Sequence, residues 1–252
     1  MARIVRCEGE EKMTALGQGA GMDRFYKRAD ISCSNDIYAL ELDGRLARTR
    51  AGNILGTQKK SLANKIAQEW NDQGEKINLA DMPYTGLLST IIDLGEKEQE
   101  IWRARILDYL NADLLCYRAD APAKLVALQT EKWDPPLAML AARGVILEVT
   151  NGISHIAQPQ QTVDHALALL ADIDCMALLP LRIITEILGS AGLAICVYTE
   201  DITPSDAFAL SRVDEEFQIE AWGHDAEAAE RVNRQRTDYD AAIGFLALSK
   251  VE

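Results

Sequence analysis

The period of the apolar residues changes once along this chain, and that change constrains the fold more than any other feature. Between Ala29 and Gln58 apolar side chains come in short alternating segments: Ile31 and Cys33, then Tyr38, Leu40 and Leu42, then Leu46, and later Ile54. Alternation at every second residue is the pattern of strands that bury one face. Asp43-Gly44 supplies the short turn that reverses the chain, since glycine takes a positive φ at little cost, and Gly52-Asn53 marks a second turn. This region therefore reads as a small antiparallel meander. After Thr57 the spacing becomes helical. Leu62, Ile66 and Trp70 recur at every fourth residue while Lys59, Lys60, Glu69 and Asp72 fall on other faces, as in a helix packed on the meander. Asn71 to Gly74 ends that helix, Ile77 to Leu79 is expected to return as a strand, and Met82-Pro83 introduces another helix near Tyr84.

Beyond about residue 95 helical spacing dominates, beginning with Trp102, Ile106 and Leu110 on one face. Pro122 is placed to open a helix through Leu125 and Leu128, and Trp133-Asp134-Pro135-Pro136 is expected to break or kink it, because consecutive prolines remove amide donors. Val145 to Val149 alternates with β-branched residues and reads as a lone strand. Helices are expected over Gln160 to Ala171, Met176 to Leu188 and Ser190 to Thr199. Thr203-Pro204 is an N-cap followed by a first-turn proline, leading into one helix through Ala207 to Trp222. Gly223 interrupts, and Asp225 to Ser249 forms a last long helix. The fold class is thus α+β: an N-terminal antiparallel meander with a helix over residues 1–95, whose first 28 residues read as a flexible arm, then a mainly α-helical C-terminal domain over residues 96–252.

Charge and motif content narrow the function. With 39 acidic against 26 basic residues and a formal charge of −13, the composition argues against nucleic acid or an anionic membrane as the main partner. Cys7, Cys33, Cys116, Cys175 and Cys196 are scattered and never form a CxxC pair, so neither a disulfide framework nor a zinc site is indicated and a reducing compartment fits. The longest uncharged apolar stretch, Ile187 to Thr199, is shorter than the roughly 18 to 20 residues that span a bilayer and reads as core, so no membrane insertion is expected. Arg3 and Arg6 are followed at once by Glu8, Glu10 and Glu11 with no apolar region, unlike a signal or transit peptide, which places the chain in a bacterial cytoplasm. Gly17, Gly19 and Gly21 lack the preceding strand and following helix of a nucleotide-binding loop. His155, His165 and His224 have no close His or Cys partner, and GxSxG, P-loop and HExxH signatures are absent, so no catalytic residue, metal site or cofactor is assigned.

Two clusters stand out. The first runs from Asp214 to Asp225, where Val213, Phe217 and Ile219 or Ala221 can face a core while carboxylates collect outside. Asp214, Glu215, Glu216, Gln218, Glu220, Trp222 and Asp225 form a candidate docking patch: acceptors for a partner's Arg or Lys beside an aromatic side chain. The same pattern also arises as a solvated helix face, and a carboxylate pair also suits general acid and base chemistry, which leaves a small-molecule hydrolase or transferase as the alternative and an unspecialised scaffold as a third reading. The second cluster, Asp113, Tyr117 and Arg118 with Trp133 and Asp134, reads as an interdomain core held by a buried Asp-Arg or Tyr hydrogen-bond set, and Asp43 and Gly44 are structural as the hairpin turn.

At these clusters the sequence resembles the alpha-subunit assembly chaperones of the F-type ATP synthase, a family of mitochondria and alpha-proteobacteria. The resemblance is carried by Arg24-Phe25-Tyr26-Lys27, Leu42-Asp43-Gly44-Arg45, Leu62-Ala63 through Glu69-Trp70, and Met82-Pro83 with Thr85. It continues in Tyr109 with Asp113 to Arg118, Gln129 with Trp133-Asp134-Pro135, Gly189-Ser190, and Ser211-Arg212 through Glu216 with Gln218-Ile219-Glu220 and Trp222-Gly223. Tyr84, His224 and Gly56 depart from the family pattern. The resemblance implies a non-enzymatic protein, a monomer when free, that binds the free alpha subunit before it pairs with beta. It also implies that one acidic residue among Asp214, Glu215 and Glu216 matters for that role.

Overall fold

The structure is a computed structural model and describes residues 22–152, 154–223 and 225–250. Residues 1–21, which hold the glycine run and most of the expected N-terminal arm, lie outside the described residues, as does His224. The chain divides into two compact units, one ending at Asp93 and the other running from Leu94 to Lys250.

In the first unit, β1 (Met22–Asp23) pairs antiparallel with β6 (Lys76–Ile77). The meander is β2 (Ala29–Ser34), β3 (Ile37–Leu42), β4 (Arg45–Leu46) and β5 (Gly56–Thr57), with β3 pairing antiparallel to all three others. Asp43 and Gly44 both take positive φ, 50° and 77°, as a two-residue turn with Leu42 opposite Arg45 requires. Asn35 and Asp36 do the same at the β2–β3 turn, at 48° and 61°, without glycine, since Asn and Asp tolerate the left-handed region. The expected helix is α1 (Lys60–Asn71), which buries Leu62 and Ile66 against the meander. Past β6, Asn78 caps a 3-10 turn over Leu79–Asp81, so the return strand is confined to Lys76–Ile77.

α2 (Pro83–Asn111) runs across the division between the units as one helix. Its start is capped from a distance: the buried carboxylate of Glu69 accepts the Tyr84 and Thr85 amides, both at 2.8 Å, and the Thr85 hydroxyl at 2.7 Å. Burial raises the Glu69 carboxyl above its ordinary range, and those donors oppose the shift.

The second unit contains β7 (Tyr117–Arg118), α3 (Ala123–Ala142), β8 (Thr150–Asn151), α4 (Gln160–Ala171), α5 (Cys175–Leu188), α6 (Ala191–Tyr198), α7 (Pro204–Leu210), α8 (Val213–Trp222) and α9 (Ala226–Lys250). Three expectations are corrected here. Pro135 and Pro136 do not break α3. The carbonyls they leave without an amide donor belong to Glu131 and Lys132, which are exposed and open to water. Val145 to Val149 is not a strand, because side chains take its backbone groups. Gln158 bonds both the amide and the carbonyl of Glu148 (2.8 and 3.0 Å), and the Thr162 hydroxyl donates to the Ile146 carbonyl at 2.6 Å. The residues that pair are Thr150–Asn151, parallel to Tyr117–Arg118. Finally, Ala207 to Trp222 is two helices. The Trp133 indole donates to the Leu210 carbonyl at 2.9 Å, the acceptor that a continuous helix would offer to Asp214, and Arg212 N instead closes a tighter turn on Ala209 O at 3.1 Å.

Candidate partner-binding site

Asp113 follows the end of α2 and is fully buried. Its carboxylate accepts the Leu115 amide at 3.1 Å, the Ser190 hydroxyl at 2.7 Å and the Gly192 amide at 2.8 Å. It thereby ties the turn after α2 to the start of α6, where the Ser190 hydroxyl also caps the Leu193 amide at 2.9 Å. The packing is close at Gly192, where a Cβ would sit 2.8 Å from Leu140 Cδ1 and displace that side chain. Burial pushes the Asp113 carboxyl up to about 6.

Arg118 spreads its fork over three acceptors: Leu115 O at 3.1 Å, Gln129 O at 2.9 Å and Asp134 Oδ1 at 2.9 Å. Its guanidinium also lies 5.3 Å from the centre of the buried Trp133 ring. The carboxylate beside Arg118 is therefore that of Asp134, while Asp113 is held by backbone amides and a hydroxyl. Gln129, 1% exposed, carries the network outward. Its side chain accepts the Ala119 amide at 2.8 Å and donates to Asp214 Oδ1 at 2.7 Å. The polar set around Arg118 thus ends on the first turn of α8. Tyr117 stands apart, with its hydroxyl 3.1 Å from His155 Nδ1. Asp43 and Gly44 belong to the first unit, where the Asp43 carboxylate accepts the Lys27 and Arg28 amides and is held below the usual carboxylate range by those bonds.

On α8, Val213 is buried, Phe217 and Ile219 are half-buried, and Ala221 is exposed. Arg212 is itself buried and pairs with both Glu215 and Glu216, so these two carboxylates are partly balanced from within their own turn. Lys124 of α3 reaches Glu220 at 3.6 Å and sits 5.7 Å over the Phe217 ring. Gln218 is exposed, and Trp222 ends the helix with 82% of its surface in water. Past Gly223, the Asp225 carboxylate accepts the Glu227 amide at 3.1 Å and opens α9. The seven candidate residues of this patch fall on one short helix and the turn after it. The first turn is fixed from beneath by Gln129, and the last presents a bare indole.

Sequence reasoning grouped Gln129 with Trp133 and Asp134 but not with Asp214, and it passed over Arg212 and Lys124 as residues that build this patch. Gln129 had a readable signal: it lies in the stripe Gln129, Trp133, Pro136, Leu140, all buried, and a polar residue in an apolar stripe must find a buried partner. Arg212 had the i, i+3 and i, i+4 spacing to Glu215 and Glu216. Lys124 had no local signal, because it meets Glu220 only through the packing of α3 on α8. Among the described residues no group of three or more His, Cys, Asp and Glu is placed to hold a metal ion, and no helix is long and apolar enough to cross a membrane.

The family model described as ATP12 chaperone protein matches residues 23–141. The mitochondrial protein atp12 of Schizosaccharomyces pombe is 24% identical over 237 residues, covering 89% of this chain and 81% of that one. The crystal structure of Atp12 from Paracoccus denitrificans is 31% identical with a TM-score of 0.85, covering 91% of this chain and 99% of that one. A point mutant of the same Paracoccus protein is 32% identical with a TM-score of 0.85, covering 91% and 98%.

Proposed function

Because this chain belongs to the ATP12 chaperone family of ATP synthase assembly factors, we propose that it binds the free alpha subunit of the catalytic head and masks its beta-facing interface until assembly. The family consists of chaperones and not enzymes, so a hydrolase or transferase using the carboxylates of α8 is set aside. The observation that carries the proposal is Trp222, a large aromatic side chain 82% exposed at the end of a helix whose first turn holds Asp214, Glu215 and Glu216. A solvent-exposed indole on the same short helix as exposed carboxylates suits a partner that supplies apolar surface with Arg or Lys. An unpaired subunit exposes surface meant for its neighbour, and covering it prevents non-specific association without any need for nucleotide. The protein acts as a monomer in the cytoplasm, where the head subunits are made.

The test is gel filtration of the purified protein with alpha subunit, using beta subunit as the control. Co-elution with alpha alone, together with suppression of alpha aggregation, is the expected result. Capture of neither subunit under conditions where alpha aggregates would sink the proposal. Trp222→Ser is the variant of choice for mapping, because an exposed side chain can be removed without disturbing the core. Charge reversal at both Glu215 and Glu216 would leave the buried Arg212 unbalanced and confound binding with folding.

A further inference from the structure

We propose that the first unit carries a second docking surface, a groove of about 510 Å³ bordered by Phe25, Leu46, Arg45 and Arg48, which takes an acidic, apolar segment of the client polypeptide. The proposal names the chemistry of the segment independently of the client's identity, and only its second test rests on the alpha-subunit reading.

The groove combines two features that a purely structural surface has no reason to combine. Its apolar border is exposed: Phe25 is 63% and Leu46 44% accessible, although Phe25 packs edge-on against the buried Tyr26, with ring centres 5.4 Å apart. A Phe held in place by its neighbour yet left in water is a fixed contact surface. Its charged border is cationic and available. Arg45 makes no ion pair among the described residues, and Arg48 gives one guanidinium N–H to Gly52 O at 2.7 Å, leaving the rest of its fork open. Arg24, by contrast, is consumed by the fold, donating to the Tyr26, Lys27 and Gln73 carbonyls. The one carboxylate among the lining residues, Asp43, is turned onto the Lys27 and Arg28 amides at 3.0 and 2.9 Å, and the two arginines outnumber it. In a chain of net charge −13, residues 22–59 hold seven Lys and Arg against five Asp and Glu. Two fork-shaped cations beside an apolar slot recognise a carboxylate next to a hydrophobic side chain.

The first test uses fluorescently labelled pentapeptides, Glu-Leu-Glu-Phe-Glu and its counterpart Lys-Leu-Lys-Phe-Lys, titrated with the full chain and with the variants Arg45→Glu and Phe25→Ser. Both positions are exposed, and unchanged thermal unfolding will confirm that the variants fold. The acidic peptide should bind the parent, bind each variant at least tenfold more weakly, and outcompete the basic peptide. No binding of the acidic peptide at millimolar concentration, or equal binding to parent and Arg45→Glu, overturns the groove assignment. The second test measures alpha-subunit affinity, where both variants should again lose at least tenfold. Unchanged alpha affinity, or a parent that self-associates and becomes monomeric on Arg45→Glu, overturns the client as occupant. A parent that binds the acidic peptide but not alpha leaves the groove in place and removes the alpha-subunit reading instead.

Discussion

Gln129 is the side chain through which the second unit's buried polar network meets its exposed acidic helix, and its two bonds make it sensitive to substitution. Gln129→Leu keeps the approximate volume but leaves the Ala119 amide without its acceptor and frees Asp214 from its donor. A loss of about 1 kcal/mol is expected from a stranded half-buried donor, read as a lowered denaturant midpoint. The same variant should bind the client more weakly, because the first turn of α8 loses its anchor. Unchanged stability would show that water replaces Gln129 without cost. Asp113 gives a pH-dependent counterpart. Its carboxyl, up to about 6 in the fold against 3.8 for the unperturbed group, holds its proton more tightly folded than unfolded. It therefore adds stability that is complete below about pH 4 and is withdrawn as the pH rises through 6, a span on the order of 2–3 kcal/mol. The difference in unfolding free energy between parent and Asp113→Asn should shrink across that window, whereas a constant difference from pH 3.5 to 7.5 would contradict the assignment. Burial at these two positions was legible in the sequence only as type. Their partners, Asp214 and the Ser190–Gly192 turn, lie 85 and 77–79 residues away, and no local pattern reports contacts that distant.

At the scale of elements, periodicity placed what it physically encodes. The meander, α1 and the Trp102-Ile106-Leu110 face follow from spacing that one buried face imposes, the last helix from helix-favouring composition, and Asp43-Gly44 from backbone sterics. Two readings failed where a side chain reaches in from elsewhere. The Trp133 indole ends α7 by taking Leu210 O, and Gln158 and Thr162 hold 145–149 out of any sheet. Pro135 and Pro136 sit inside α3 because an exposed helix face tolerates orphan carbonyls, which makes a stabilising substitution available. Pro135 is exposed, so Pro135→Ala removes no packing and returns an amide to Glu131 O. The variant is expected to gain about 1–3 kcal/mol, measured as a higher midpoint with unchanged denaturant slope. A decrease would mean that the proline ring, not the missing amide, sets the local geometry.

Across the whole molecule the charge is unevenly distributed along the chain, and this sets how a client is approached. Residues 213–230 contain seven Asp and Glu and no Lys or Arg, whereas residues 22–59 carry a cationic excess around Arg45 and Arg48. Of those seven carboxylates, Glu215 and Glu216 share Arg212, and Glu220 and Glu230 meet only the exposed Lys124 and Arg234, so the acidic field remains open to solvent. Such a field attracts a cationic client surface before contact and is screened within about 8 Å at physiological ionic strength. Association with the alpha subunit is therefore expected to slow by about tenfold between 0.05 and 0.5 M salt, while the dissociation rate, governed by the Trp222 contact, changes little. Glu220→Lys should lower the association rate and flatten its salt dependence, and Trp222→Ser should raise the dissociation rate with the salt dependence intact. Stopped-flow measurement of both rates separates the two roles. A salt-independent association rate would transfer recognition from the acidic helix to apolar surface alone, and then Phe25 and Leu46 of the first unit would be the residues to test next.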